Sequence, residues 1–98
     1  MNDVKRGHIW LLRLDPTLGH EIRKARPAVI VQNDIGNKYS PLTIIAPISS
    51  QNTEKAYPFE VLLGKKLGLR KSSKVLLNQI RAVDKRRLLK QLGKVDNE

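Results

Sequence analysis

The sequence contains no cysteine among its 98 residues, and aromatic residues make up only 4% of it. The absence of cysteine excludes disulfide bonds and thiolate metal sites, and it is typical of proteins in a reducing compartment. The first residues lack the apolar stretch of a signal peptide, and no apolar run has the length of a membrane span. We therefore expect a cytoplasmic protein that makes no membrane contact.

Acidic residues are also scarce, because 9 Asp and Glu stand against 19 Lys and Arg, for a formal net charge of +10. This imbalance favours a polyanionic partner such as nucleic acid, an anionic membrane surface or an acidic protein. The hydrophobic share of 40% is sufficient for a folded core. The length predicts a single domain, residues 1–98, whose modest core would gain from association with a second subunit.

Short apolar segments separated by turn-forming residues predict a mainly β fold, either a small barrel or a sandwich. In the first predicted strand, Trp10 and Leu12 would share one face and Ile9 the other. Pro47 predicts an edge position or a bulge, and the composition of residues 33–41 predicts turns. The predicted strands cover residues 9–14, 28–32, 43–48, 57–63 and 74–83.

The C-terminal segment predicts a helix. Asp84 is a suitable N-cap because its carboxylate can accept hydrogen bonds from free backbone N–H groups. Leu88, Leu89 and Leu92 repeat at helical spacing, and Gly93 is a plausible C-cap. We therefore expect one helix after the last strand.

Polar side chains are concentrated in the predicted loop of residues 15–26. RNA can be cleaved without a metal if the protein moves protons and stabilises the charge that develops on the phosphate. Arg26, next to a buried strand, suits the second task because its guanidinium group stays charged and matches phosphate oxygens. Ser49, at the end of another strand, could hold a phosphate oxygen, and His20 or Glu21 could transfer protons.

Each of these residues also has a structural interpretation. Arg26 could form an ion pair at the start of the strand, and Ser49 could simply end a strand. The sequence has no Gly-rich phosphate-binding loop, and His8 and His20 are far apart without a cluster of acidic neighbours. We therefore expect no metal and no cofactor.

Taken together, these motifs resemble the MazF/PemK family of toxin endoribonucleases over nearly the whole chain. The most specific stretch is residues 26–34, which read RPAVIVQND. Four further segments in the same order carry the similarity, namely residues 5–10, 14–21, 33–41 and 76–88.

The resemblance implies a homodimer with an SH3-like barrel in each subunit and metal-independent cleavage of single-stranded RNA at a short sequence. The implied products carry a 2′,3′-cyclic phosphate and a 5′-hydroxyl. It also implies inhibition by a cognate MazE-like antitoxin, through which alone the toxin would contact DNA. Most family members continue past Asp96 into a further helix, which we do not expect here because the sequence ends at Glu98.

The family's key arginine falls on Arg26, and its catalytic Thr or Ser falls on Ser49. One branch of the family uses an Arg and an Asp where this sequence has Leu76 and Asn78. The acid–base scheme of that branch therefore does not transfer, which gives Arg26 and Ser49 more weight. The resemblance further implies contacts with RNA from His20, Glu21, Lys24, Gln51, Asn78 and Gln79.

Two other functions are compatible with the same fold. One is a non-enzymatic toxin that binds DNA gyrase, since a fold does not determine a function. The other is a plain RNA-binding module, which would bind by charge and yield no products.

Overall fold

The computed structural model describes residues 3–13, 25–50, 58, 60–63 and 73–95. Most of this part of the chain is β-strand, so the prediction of a mainly β fold is confirmed. The described residues include one short helix, α1, and none of their helices is long and apolar enough to span a membrane. The elements are β1 His8–Leu12, β2 Arg26–Ile30, α1 Asp34–Tyr39, β3 Leu42–Ser49, β4 Glu60–Leu63, β5 Ser73–Leu76, a 3₁₀ turn Leu77–Gln79, β6 Arg81–Asp84, a 3₁₀ turn Lys85–Arg87 and β7 Leu88–Lys94.

Within the described ranges, the strands form one seven-stranded sheet in the order β4-β5-β3-β2-β1-β7, with β6 paired to β3 off this path. All the pairings are antiparallel. The long strand β3 organises the sheet, because β2 lies along one side of it and β6 and β5 follow each other along the other side.

Both faces of the sheet bury apolar side chains, and neighbouring residues of β1, β2 and β3 contribute to different clusters. Trp10 and Leu12 belong to one cluster, whereas Ile9 belongs to the other, as the alternation in β1 predicts. The first cluster contains Val4, Trp10, Leu12, Ala28, Ile30, Ile45, Val83 and Leu88. The second contains Ile9, Val29, Ala46, Ile48, Leu63 and Val75.

The prediction of a C-terminal helix from Asp84 to Gly93 is wrong. Asp84 does act as a cap, since its side chain accepts from the backbone N–H of Arg86, but it caps only one 3₁₀ turn. The following residues form β7, which pairs with the otherwise open edge of β1. Leu88 is buried, whereas Leu89 is 48% exposed, so the leucines do not form one helical face. Tertiary pairing overrides the weak helical signal.

The predicted turn region of residues 33–41 instead contains α1. Asn33 caps this helix by accepting a hydrogen bond from the backbone N–H of Gly36 at 2.8 Å. The buried Asn37 then anchors it, because its Oδ1 accepts from Thr43 Oγ1 at 2.6 Å and from Gln32 Nε2 at 3.0 Å. Its Nδ2 donates to Gln32 O at 2.9 Å, so a polar network ties α1 to the ends of β2 and β3.

The predicted strand of residues 74–83 is interrupted by the 3₁₀ turn Leu77–Gln79, and Pro47 explains why this break is tolerated. Val31 N–H donates to Ile44 O at 2.8 Å, so the backbone groups of Ile44 face β2. Along an antiparallel strand, the backbone groups of successive residues point to opposite sides. Those of Pro47 therefore point toward β5 and β6, and on that side Pro47 has no N–H to donate. The partner strand breaks beside this position, where Pro47 cannot donate a ladder hydrogen bond.

Candidate active site

A cleft of about 340 Å³ lies at one end of the sheet, between the start of β2 and the end of β3. Arg26 and Ser49, the predicted catalytic pair, both line it. The described residues that line the cleft are Arg26, Pro27, Pro47, Ile48, Ser49, Ser50 and Ser73.

The register of the sheet brings the two side chains together. Ala28 of β2 is opposite Pro47 of β3 in the last pair of this ladder, so Arg26 and Ser49 each lie two residues beyond it, at adjacent strand ends. Alternate residues of a strand project to the same face, so Arg26 and Ser49 project to the face that carries Ala28 and Pro47. The guanidinium group of Arg26 and the hydroxyl group of Ser49 can therefore act on one small group between them.

Arg26 belongs to β2 and not to the preceding loop, where the sequence interpretation placed it. It is paired with the fully buried Leu12 of β1, so its backbone is fixed while its side chain remains exposed. A fixed backbone with an exposed cationic side chain is the arrangement expected for an arginine that binds a phosphate group.

Pro27 accounts for the opening of the cleft at this position. The hydrogen bond from Val31 N–H to Ile44 O shows that the backbone groups of Val31 point toward β3. Every second residue of a strand points to the same side, so those of Pro27 also point toward β3. Pro27 has no N–H to donate, and the pairing of β2 with β3 ends at Ala28 and Pro47. Beyond Ala28 and Pro47, the ends of β2 and β3 are not joined by a reciprocal pair of backbone hydrogen bonds.

The sequence interpretation missed Ser73 as a cleft residue and Lys74 as a neighbour of Ser49. Ser73 lines the cleft, and Lys74 is directly opposite Ser49 on β5; both side chains are buried. Their position depends on the pairing of β5 with the end of β3. The sequence indicates only that Lys74 begins a strand. Its proximity to Ser49 could not be found without the register of β5 against β3.

Asn78 and Gln79 lie on the exposed 3₁₀ turn between β5 and β6, outside the set of described residues that line the cleft. Four further predicted RNA-binding residues fall outside the described residues: His20, Glu21, Lys24 and Gln51.

The described part of the cleft offers one guanidinium group and several hydroxyl groups, and no described carboxylate lines it. This combination suits an oxyanion such as a phosphate group, since arginine supplies charge and paired donors while serine supplies further donors. Among the described residues, no group of three His, Asp or Glu residues is placed to hold a metal ion.

Comparison with known proteins decides the family. The model of the PemK-like, MazF-like toxins of type II toxin–antitoxin systems matches residues 5–98. This chain belongs to that family. It is 40% identical to Endoribonuclease EndoA of Bacillus subtilis (strain 168) over 96 residues, which cover 97% of this chain and 83% of EndoA.

Solved structures agree with this assignment for the MazF-like toxin. The crystal structure of MazF from Deinococcus radiodurans superposes with a TM-score of 0.78 at 33% identity, over 98% of this chain and 84% of that chain. A chain of the MazE–MazF crystal structure from the same organism gives a TM-score of 0.77 at 28% identity, over 99% of this chain and 84% of that chain. The expected family fold is thereby confirmed.

Proposed function

We propose that this toxin is an endoribonuclease that cleaves single-stranded RNA at a short sequence without a metal ion. The observation that carries the proposal is that Arg26 and Ser49 line one cleft at the end of the sheet, each two residues beyond the last pair of β2 and β3. Family membership and the name of its relative, Endoribonuclease EndoA, support the same activity. The net charge of +10 provides the long-range attraction that a polyanionic substrate requires.

In the proposed reaction, the 2′-hydroxyl oxygen attacks the adjacent phosphorus, and the bond from phosphorus to the 5′-oxygen breaks. The 2′-hydroxyl loses a proton and the departing 5′-oxygen gains one, which leaves a 2′,3′-cyclic phosphate and a 5′-hydroxyl. Arg26 stabilises the negative charge that accumulates on the non-bridging oxygens, and Ser49 donates a hydrogen bond to one of them.

Other residues are proposed to hold the RNA around this phosphate. Gln51 directly follows Ser50, a residue that lines the cleft, in the sequence. Asn78 and Gln79 are exposed and can contact bases or backbone. His20, Glu21 and Lys24 belong to the segment that leads into Arg26 and are proposed to face the RNA from there.

We further propose that the toxin acts in the cytoplasm as a single domain, residues 1–98, that forms a homodimer. A cognate MazE-like antitoxin would neutralise it. Related MazF chains occur in structures with MazE, and an endoribonuclease from Mycobacterial species has been solved with its cognate antitoxin. An acidic antitoxin segment is electrostatically matched to the basic toxin.

The experiment is incubation of the purified protein with long single-stranded RNA in EDTA, followed by analysis of the ends. We expect discrete fragments with 5′-hydroxyl ends and cyclic phosphates. Arg26→Ala should prevent cleavage, whereas Arg6→Ala, which removes an exposed arginine at the other end of β1, should not.

Intact RNA in both the presence and the absence of EDTA would contradict the proposed activity, and cleavage only without EDTA would contradict its metal independence. A parallel assay of DNA supercoiling separates this activity from gyrase binding. Inhibition of supercoiling without RNA fragments would favour the gyrase-binding function instead.

A further inference from the structure

The end of the sheet that holds the cleft also carries arginines that the proposed chemistry does not use. Leu12, the last residue of β1, is opposite Arg26 on one side and opposite Leu88 of β7 on the other. Arg13 follows Leu12 and Arg87 precedes Leu88. Three arginines thus lie along one edge of the molecule, at the ends of the adjacent strands β2, β1 and β7.

Hydrogen bonds hold Arg13 and Arg87 side by side. Arg13 N–H donates to Arg87 O at 3.1 Å, and Arg87 Nη1 donates to Arg13 O at 3.4 Å. The side chain of Arg13 is exposed and that of Arg87 is partly exposed. A guanidinium group has five N–H donors, so the contact with one carbonyl oxygen uses only part of the capacity of Arg87.

Acidic residues do not neutralise this group within the described part of the chain. The carboxylate near Arg87 is that of Asp84, which Arg86 already holds through contacts of 3.1 and 3.0 Å. These hydrogen bonds from Arg86 lower the pKa of Asp84 to about 2. Among the described residues, neither Arg13 nor Arg26 nor Arg87 forms an ion pair with a carboxylate, and Arg87 has only a longer-range electrostatic interaction with Asp84.

We propose that Arg13 and Arg87 form a second phosphate-binding site, which holds the backbone of single-stranded RNA a few nucleotides away from the scissile phosphate. The inference rests on the proposed function of the cleft. Adjacent strands are about 4.8 Å apart, so the backbone at Arg87 lies about 10 Å from that at Arg26. Contacts of this kind set the position of a nucleic acid strand and do not read its sequence.

An acidic peptide would also be attracted to three arginines, but RNA is the better match. Arg13 and Arg87 lie at the ends of the strands next to β2, whose Arg26 lines a cleft with serines that suit phosphate oxygens. Planar guanidinium groups pair with phosphate through two parallel hydrogen bonds, which gives each contact a defined geometry.

The test is the salt dependence of binding to a fluorescent 2′-O-methyl oligoribonucleotide, which lacks the attacking hydroxyl and therefore stays intact. Each phosphate contact with a single strand contributes about 0.7 to the slope of log K against log salt concentration. We expect Arg13→Gln and Arg87→Gln each to reduce the slope by about 0.7, and the double variant by about 1.4. Arg13→Lys and Arg87→Lys should retain the slope of the wild type.

The matched control is Arg6→Gln, which removes one exposed arginine near the opposite end of the sheet and should leave the slope unchanged. Slopes of the Arg13 and Arg87 variants equal to that of the wild type, or an equal reduction in Arg6→Gln, would overturn the inference. The inference would also be overturned if the Arg13 and Arg87 variants lost binding of an oligoglutamate peptide while their slope for RNA stayed unchanged. That result would assign the edge to an acidic protein. Failure of the wild type to cleave RNA would instead refute the proposed function, because the binding assay needs no cleavage.

Discussion

Ser49 contributes one hydroxyl group to the cleft, and the proposed chemistry depends on that group more than on the shape of the side chain. Ser49→Ala should reduce the single-turnover rate of RNA cleavage by about 10- to 100-fold, because a hydrogen bond to a charged group is worth about 1.5–3 kcal/mol. Ser49→Thr retains the hydroxyl and should retain most of the rate. Equal loss in both variants would indicate a packing role for Ser49.

Asp84 gives a prediction about pH. Its pKa is lowered to about 2, first by the side-chain hydrogen bonds from Arg86 and then by the backbone N–H of Arg86. A lowered pKa stabilises the folded state above the ordinary pKa of 3.8, and this contribution disappears as the pH falls toward 2. Titration of the Asp84 carboxyl by NMR should show the low value, and Arg86→Ala should raise it. An unchanged pKa in Arg86→Ala would contradict this account.

At the same residue scale, the sequence could supply the chemical types of the site but not their arrangement. Arg26 in front of Pro27 was compatible with an ion pair, and only the family resemblance favoured catalysis. Ser73 carried no signal, and Lys74 carried only that of a strand start. Their relation to Ser49 depends on a strand pairing that spans more than twenty residues of sequence, and local patterns do not encode such pairings.

At the scale of elements, α1 is held by the network around Asn37. Asn37→Ala should lower the free energy of unfolding by about 1–3 kcal/mol, because the buried hydroxyl of Thr43 and the side chain of Gln32 lose their partner. Denaturant unfolding measures this change. Ser40→Ala, which removes a more exposed hydrogen bond to the backbone of Leu42, should have a smaller effect. The network would not be the anchor of α1 if the two variants were equally stable.

Elements also show where sequence patterns fail physically. The alternation of Trp10, Leu12 and Ile9 predicted β1 correctly because each face of the strand meets a different apolar cluster. In the sequence alone, the spacing of Leu88, Leu89 and Leu92 fits a helix as well as the alternation in β1 fits a strand. The open edge of β1 decides the outcome, since β7 completes its hydrogen bonds and buries Leu88 against the core.

At the scale of the whole molecule, the antiparallel sheet brings distant segments of the chain to one end. The start of β2, the end of β3 and the start of β5 meet there, and Pro27 and Pro47 interrupt the ladder on either side of β3. The composition predicted a polyanionic partner, and the resemblance predicted the fold. The position of the cleft follows only from the topology and register.

The most direct test of the central claim compares the single-turnover rates of RNA cleavage in EDTA for the wild type, Arg26→Ala, Arg26→Lys and Arg6→Ala. The account predicts a loss of at least about 100-fold for Arg26→Ala, as for removal of a group that stabilises transition-state charge. Arg26→Lys should recover part of that loss, because it keeps the charge without the planar fork, and Arg6→Ala should match the wild type. Equal rates for Arg26→Ala and the wild type would contradict the assignment of Arg26 as the residue that stabilises charge on the phosphate.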